Sequence, residues 1–105
     1  RIEHVVHANG DVTYSRDARA LLEDEGYSLR MWESDADAIE LGLRLATSKF
    51  GNTLDLSGPE EFRMATARAT AEISPYVRLT DDALNEVVEA RIAELRVEPS
   101  TARAR

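Results

Sequence analysis

The 105-residue sequence contains no cysteine. That absence excludes disulfides, thiolate metal ligands and cysteine nucleophiles together, and leaves the redox compartment unread. Histidine is scarce as well, with two residues, His4 and His7. Three positions apart on a strand, they project to opposite faces, so a metal ion shared between them is not expected. No apolar run approaches the roughly 18 residues of a membrane span and no signal-peptide pattern is present. A cytoplasmic location without membrane contact is expected. No internal repeat or low-complexity segment is visible. Basic charge is also in short supply: 13 Lys and Arg stand against 20 Asp and Glu, for a formal charge of −7. A domain of that sign is repelled by nucleic acid, which argues against general phosphate-backbone binding as its main role while leaving room for a local basic patch.

What is present is ordinary for a globular chain, at 43% hydrophobic and 31% charged residues. The first residue is Arg1, and the tail from Glu98 has no apolar periodicity. Both ends read as cuts through a longer polypeptide. Residues 1–97 are expected to form one α+β domain, with 98–105 a flexible tail or linker. The first third reads as up to four antiparallel strands, with Asn9-Gly10 a two-residue hairpin turn and Asp24-Glu25-Gly26 a later one. From Ser34, an expected N-cap, the period becomes helical through Ile39, Gly42, Leu43, Ala46 and Phe50, and Gly51 ends that helix. Thr53-Leu54-Asp55-Leu56 is a short strand. Ser57-Gly58-Pro59-Glu60, with Ser57 the expected N-cap, starts a second helix with buried stripe Phe62, Ala65, Thr66, Ala69 and Ile73. Tyr76 to Leu79 gives another strand, and Thr80 caps a third helix. Strand-helix-strand units with short links imply parallel pairing. The expected architecture is therefore α+β: a two-layer sandwich whose mixed sheet joins an N-terminal antiparallel meander to strand-helix-strand units, with three helices on one face. Its expected core is Leu29, Met31, Leu43, Ala46, Leu54, Leu56, Phe62, Ala69, Val77, Leu79, Leu84 and Val88.

Short motifs run in order through Gly10-Asp-Val-Thr-Tyr14, Glu25-Gly26, Asp35-Ala-Asp-Ala-Ile39, Leu43-Arg-Leu-Ala46 and Lys49-Phe50-Gly51, ending at Leu54-Asp-Leu-Ser-Gly58 with Glu61-Phe62. From about Gly10 to Ile73 the chain thereby resembles the family known as large polyvalent protein-associated domain 7. The most distinctive part is a helix ending in Lys-Phe-Gly, followed by a short strand, Gly and a Glu-Phe helix. Members are similar to segments of conjugative relaxases and plasmid mobilisation proteins. The resemblance implies a non-catalytic accessory domain that supports DNA handling or recognition by the type IV transfer machinery. Implied partners are other domains of the same polypeptide, single-stranded DNA or transfer-machinery proteins. The rival expectation is a protein-docking module without nucleic-acid contact.

No catalytic, metal or cofactor residue emerges from the sequence. Asp35, Asp37 and Glu40 are accounted for by the positive end of a helix dipole. Tyr14, Tyr27 and Tyr76 sit in strand patterns, where packing explains them without nucleophilic chemistry. Gly58-Pro59 reads as a helix cap, because proline removes an N–H donor and Glu60 and Glu61 repel anions. Two features point to binding. On the strand face opposite the helices, Arg30, Trp32 and Arg78 are candidates for nucleic-acid contact, since an exposed aromatic flanked by arginine stacks unpaired bases. On the back of the second helix, Met64, Ala67 and Ala71 are candidates for partner docking.

Overall fold

In the computed structural model, which describes residues 1–96, the chain opens as an antiparallel meander. Its strands are β1 (Glu3–Val6), β2 (Val12–Arg16), β3 (Arg19–Asp24) and β4 (Leu29–Met31), hydrogen-bonded in that order. The first loop is Ala8-Asn9-Gly10: the His7 N–H donates to the Asp11 carbonyl at 2.8 Å and the Gly10 N–H to the His7 carbonyl at 2.9 Å. Only Gly10 takes a positive φ, at 94°, so the expected two-residue turn is a three-residue loop closed by a glycine bulge. The two-residue turn falls instead between β2 and β3. There Arg16 pairs with Arg19, and Asp17 and Ala18 sit at φ 53° and 65°. This primed geometry follows the right-handed strand twist and demands two left-handed residues. Ala18 meets it against its Cβ, at a cost of about 1–2 kcal/mol. Ala18→Gly should therefore raise stability by about 0.5–1 kcal/mol, the part that survives glycine's greater freedom in the unfolded chain. A denaturation midpoint that falls on this substitution would contradict the turn assignment.

The register between β2 and β3 slips after Tyr14: Tyr14 pairs with Leu22 but Ser15 pairs with Ala20, leaving Leu21 as the extra residue of a bulge. Leu21 and Leu22 are both wholly buried, which strict alternation would not give for neighbours on one strand. The Leu21 carbonyl accepts from the N–H groups of Trp32 at 2.8 Å and Glu33 at 3.2 Å, fixing the chain as it leaves β4.

Helix α1 (Ala36–Phe50) covers the face carrying Leu22 and Met31. It comes close because Gly42 lacks a side chain: a Cβ there would lie 3.0 Å from Met31 Sδ and 3.8 Å from Leu22 Cδ2. The N-cap is Asp35, not Ser34 as expected, and its carboxylate accepts from the Ala38 N–H at 2.9 Å. Arg16, at the end of β2, reaches both acidic residues, with Nη2 2.9 Å from Asp35 Oδ2 and Nη1 2.8 Å from Asp37 Oδ2. The Ala38 N–H first, and then the Arg16 guanidinium, hold the Asp35 carboxyl below the usual carboxylate range. A group with a lowered folded pKa stabilises above its unfolded value, near ~4, and that stabilisation is lost as pH falls through the folded value. The Tm difference between wild type and Asp35→Ala should thus be largest near neutrality and shrink toward pH 2. A difference independent of pH would rule out this role for the carboxylate. The helix stops at Gly51, whose φ of 87° and ψ of −157° lie in a region open essentially to glycine alone.

The chain divides into two compact units, Arg1–Gly51 and Asn52–Arg105. In the second, β5 (Thr53–Leu54) and β6 (Arg78–Leu79) pair in parallel around α2 (Glu60–Ile73), and α3 (Asp82–Arg96) follows. The expected α+β class and parallel strand-helix-strand pairing hold. The single mixed sheet does not: the meander and the parallel pair are separate sheets. The Arg78 N–H donates to the Asn52 carbonyl at 2.7 Å and the Thr80 N–H to the Leu54 carbonyl at 3.0 Å. Those bonds use one side of β6. On its other side the amide of Asn85, buried in α3, accepts from the Leu79 N–H at 2.9 Å and donates to the Leu79 carbonyl at 2.7 Å. One side chain thus takes the place of a neighbouring strand.

Two expected caps move. Pro59, with no side-chain hydrogen bond, occupies the N-cap of α2 in place of Ser57. Asp81 accepts from the Ala83 N–H at 2.9 Å at the start of α3, while the Thr80 hydroxyl donates to Asp55 Oδ1. Helices α2 and α3 pack together, and Arg91 of α3 bridges Glu72 of α2 and its own neighbour Glu94, each at 2.8 Å. Buried in the first unit are Leu21, Leu22, Ala38 and Ile39 beside the expected Leu43, and in the second Ala67 and Ala71 beside the expected Leu54, Val77, Leu79, Leu84 and Val88. Leu29, Met31, Ala46, Leu56, Phe62 and Ala69 are half-buried. The expected tail or linker, 98–105, lies outside the described residues.

Candidate binding face

Strand pairing sets which side chains share a face of the meander. The row Tyr14, Leu22 and Met31 faces α1, so the alternate row Thr13, Glu23 and Arg30, continued by Val5 on β1, lies on the opposite face. Trp32, two residues beyond Arg30, continues that face and is 51% exposed. The Arg30 guanidinium carbon lies 5.6 Å from the Trp32 ring centroid, within cation–π range. Its Nε also lies 3.1 Å from Glu25 Oε2. Arg30 is therefore held between an aromatic face and a carboxylate, with its side chain still 58% exposed.

Glu25 belongs to a convergence that the sequence reading missed. Carboxylate oxygens of Asp11, Glu23 and Glu25 lie within 4.8 Å of one another. Glu23 and Glu25 are two apart on β3 and its extension, spacing that puts both on one face. The hairpin then folds Asp11 onto them, which only the register reveals. This is the group with metal-ligand spacing among the described residues, and Arg30 already neutralises one member. Beside it a shallow open depression is lined by His7, Ala8, Asn9, Thr13 and Glu23, with His7 Nε2 2.7 Å from the Thr13 hydroxyl.

The remaining sequence candidates are placed differently. Arg78 lies on β6, in the separate parallel pair, with Nη1 3.5 Å from Glu89. Arg78 and Arg30 therefore belong to two different sheets and not to the one continuous sheet expected. The expected docking face on α2 is corrected more firmly. Ala67 is fully buried and Ala71 is 4% exposed, and Met64 is half-buried. The small side chains of Ala67 and Ala71 form the buried side of α2 together with Thr66 and Thr70. Of the three tyrosines expected to pack, Tyr14 is half-buried in the row facing α1, whereas Tyr27 is fully exposed at the β3–β4 turn and Tyr76 is 62% exposed.

A family model described as large polyvalent protein-associated domain 7 matches residues 1–92, so the match runs beyond the motifs ending at Phe62 and through most of α3. No curated protein and no solved structure matches the chain. Among the described residues, no helix is long and apolar enough to cross a membrane.

Proposed function

We propose that this chain, which belongs to the large polyvalent protein-associated domain 7 family, is a non-catalytic accessory domain of a conjugative relaxase or plasmid mobilisation protein. In this reading it supports DNA handling by weak contact with single-stranded DNA on the open face of the meander. The observation that carries the reading is the Arg30–Trp32 pair: a half-exposed indole on a sheet face, with a guanidinium 5.6 Å from its centre. Every base offers a π-face to such a platform, whatever the sequence. Asp11, Glu23 and Glu25, with the net charge of −7, work against the phosphates. Stacking is then the main attractive term, and other domains of the polypeptide supply most of the affinity through effective concentration.

Fluorescence anisotropy with a labelled single-stranded oligonucleotide at two salt concentrations tests this. Trp32→Ala should lose about 1–3 kcal/mol of binding, and Arg30→Ala should flatten the salt dependence by roughly one phosphate contact. Glu25→Gln, which frees Arg30 and removes a repelling charge, should tighten binding. Wild type without any oligonucleotide binding at low ionic strength would sink the reading. The rival, a protein-docking module without nucleic-acid contact, draws on the converging carboxylates of the same face. It gains if Glu25→Gln leaves oligonucleotide binding absent.

A further inference from the structure

Among the described residues the outer edge of β1 is unpaired, since β1 is the end strand of its sheet. Alternation fixes which backbone groups it presents. His7 and Asp11 form a closely bonded pair at the mouth of the hairpin, so Val5 with Thr13 and Glu3 with Ser15 are the next bonded pairs. The N–H and carbonyl groups of His4 and Val6 therefore point outward, with those of Ile2 following in the same phase. Proteins usually protect such an edge with proline, lysine or a bulge. Residues 1–7, Arg-Ile-Glu-His-Val-Val-His, carry no proline and no lysine, and β1 pairs with β2 without a slip. Ile2, Val5 and Val6 are instead 40%, 58% and 64% exposed.

We infer that this edge pairs with the same edge of a second copy, antiparallel, around a two-fold axis at His4. The two-fold keeps each face of the sheet continuous, which requires partners of like parity along the strand. Centring on His4 sets His4 opposite its own copy and Ile2 opposite Val6 on both sides of the axis. All three outward pairs are then bonded, and the exposed apolar side chains of Ile2 and Val6 meet each other. Centring on Val5 bonds His4 to Val6 but leaves Ile2 opposite Ala8 in the turn. Glu3 falls opposite Val5, so no like charges stand directly across the seam. The occupant is thus named by the edge itself: its free hydrogen-bonding groups and its apolar side chains are self-complementary in that register.

Sedimentation of the 105-residue chain at pH 8 should show a concentration-dependent shift from one copy toward two at tens to hundreds of micromolar. Each copy carries −7, so the association should tighten as salt screens the repulsion, opposite in sign to DNA binding. His4→Pro removes an N–H that points outward and spares the internal ladder, so this variant should stay folded and sediment as a monomer. Register is read by oxidative cross-linking, for which the cysteine-free sequence gives no background. His4→Cys places two sulfurs across the axis at bonding distance, whereas Val5→Cys sets them two residues out of register. Rapid cross-linking of His4→Cys alone supports the pairing. A wild type that remains monomeric at every concentration and salt, or cross-linking of Val5→Cys in preference to His4→Cys, overturns it.

Discussion

Replacing Asn85 by leucine is expected to destabilise the fold by about 2–4 kcal/mol, because two buried backbone groups lose their partner together. The Leu79 N–H and carbonyl bond to the Asn85 amide at 2.9 and 2.7 Å, and both residues are buried, at 3% and 7% exposure. Leucine fills similar volume, so the loss isolates hydrogen bonding from packing. Asn85→Asp is the companion variant: it keeps an acceptor for the N–H but turns a second oxygen toward the Leu79 carbonyl, and should also destabilise strongly. The check is a denaturant midpoint measured with an unchanged slope. Against a typical total of about 5–15 kcal/mol the effect is large. A loss near zero for leucine would mean that water or a neighbouring backbone group replaces the amide.

Leu21→Ala carries the other large expectation, a loss of about 2–5 kcal/mol for a fully buried leucine. The value tests the bulge as much as the burial. Strict alternation from Leu22 would put Leu21 on the open face beside Glu23 and Arg30, where truncation costs within about 0.5 kcal/mol. The slipped register buries both leucines. A small effect at Leu21 with a large one at Leu22 would contradict the bulge.

Helix positions, the parallel pairing of β5 with β6 and the placing of Arg30 beside Trp32 on the meander were legible in the sequence, because each follows from local periodicity and short-range turn chemistry. The features that escaped depend on tertiary partners. Nothing local marks Leu21 as an extra residue, and Asp17-Ala18 lacks the glycine that usually announces a primed turn. Asn85 reads as an unremarkable helical asparagine until β6 is laid against α3. On α2, alanines and threonines recur on every side, so the stripe assigned to Ala65 and Ala69 and the buried one at Ala67 and Ala71 could be separated only by knowing where α3 packs. Two-residue strands such as Thr53–Leu54 and Arg78–Leu79 carry too little pattern to show whether their pair also joins the meander or stands as a sheet of its own.

The candidate face combines a half-exposed indole with an acidic surround. A domain that grips phosphates would show free arginines. Here Arg30 is shared between Glu25 and Trp32, so any nucleic-acid contact is led by the indole. Trp32 is also the sole tryptophan of the chain, and its fluorescence reports on this face alone. The most direct test is therefore a titration of intrinsic fluorescence with a single-stranded oligonucleotide at low salt, beside an abasic strand of equal length. Saturable quenching by the base-bearing strand, with little change from the abasic one, is the expected result. Equal responses to both strands, or no response at millimolar nucleotide, would contradict base stacking on Trp32 and with it DNA contact by this domain.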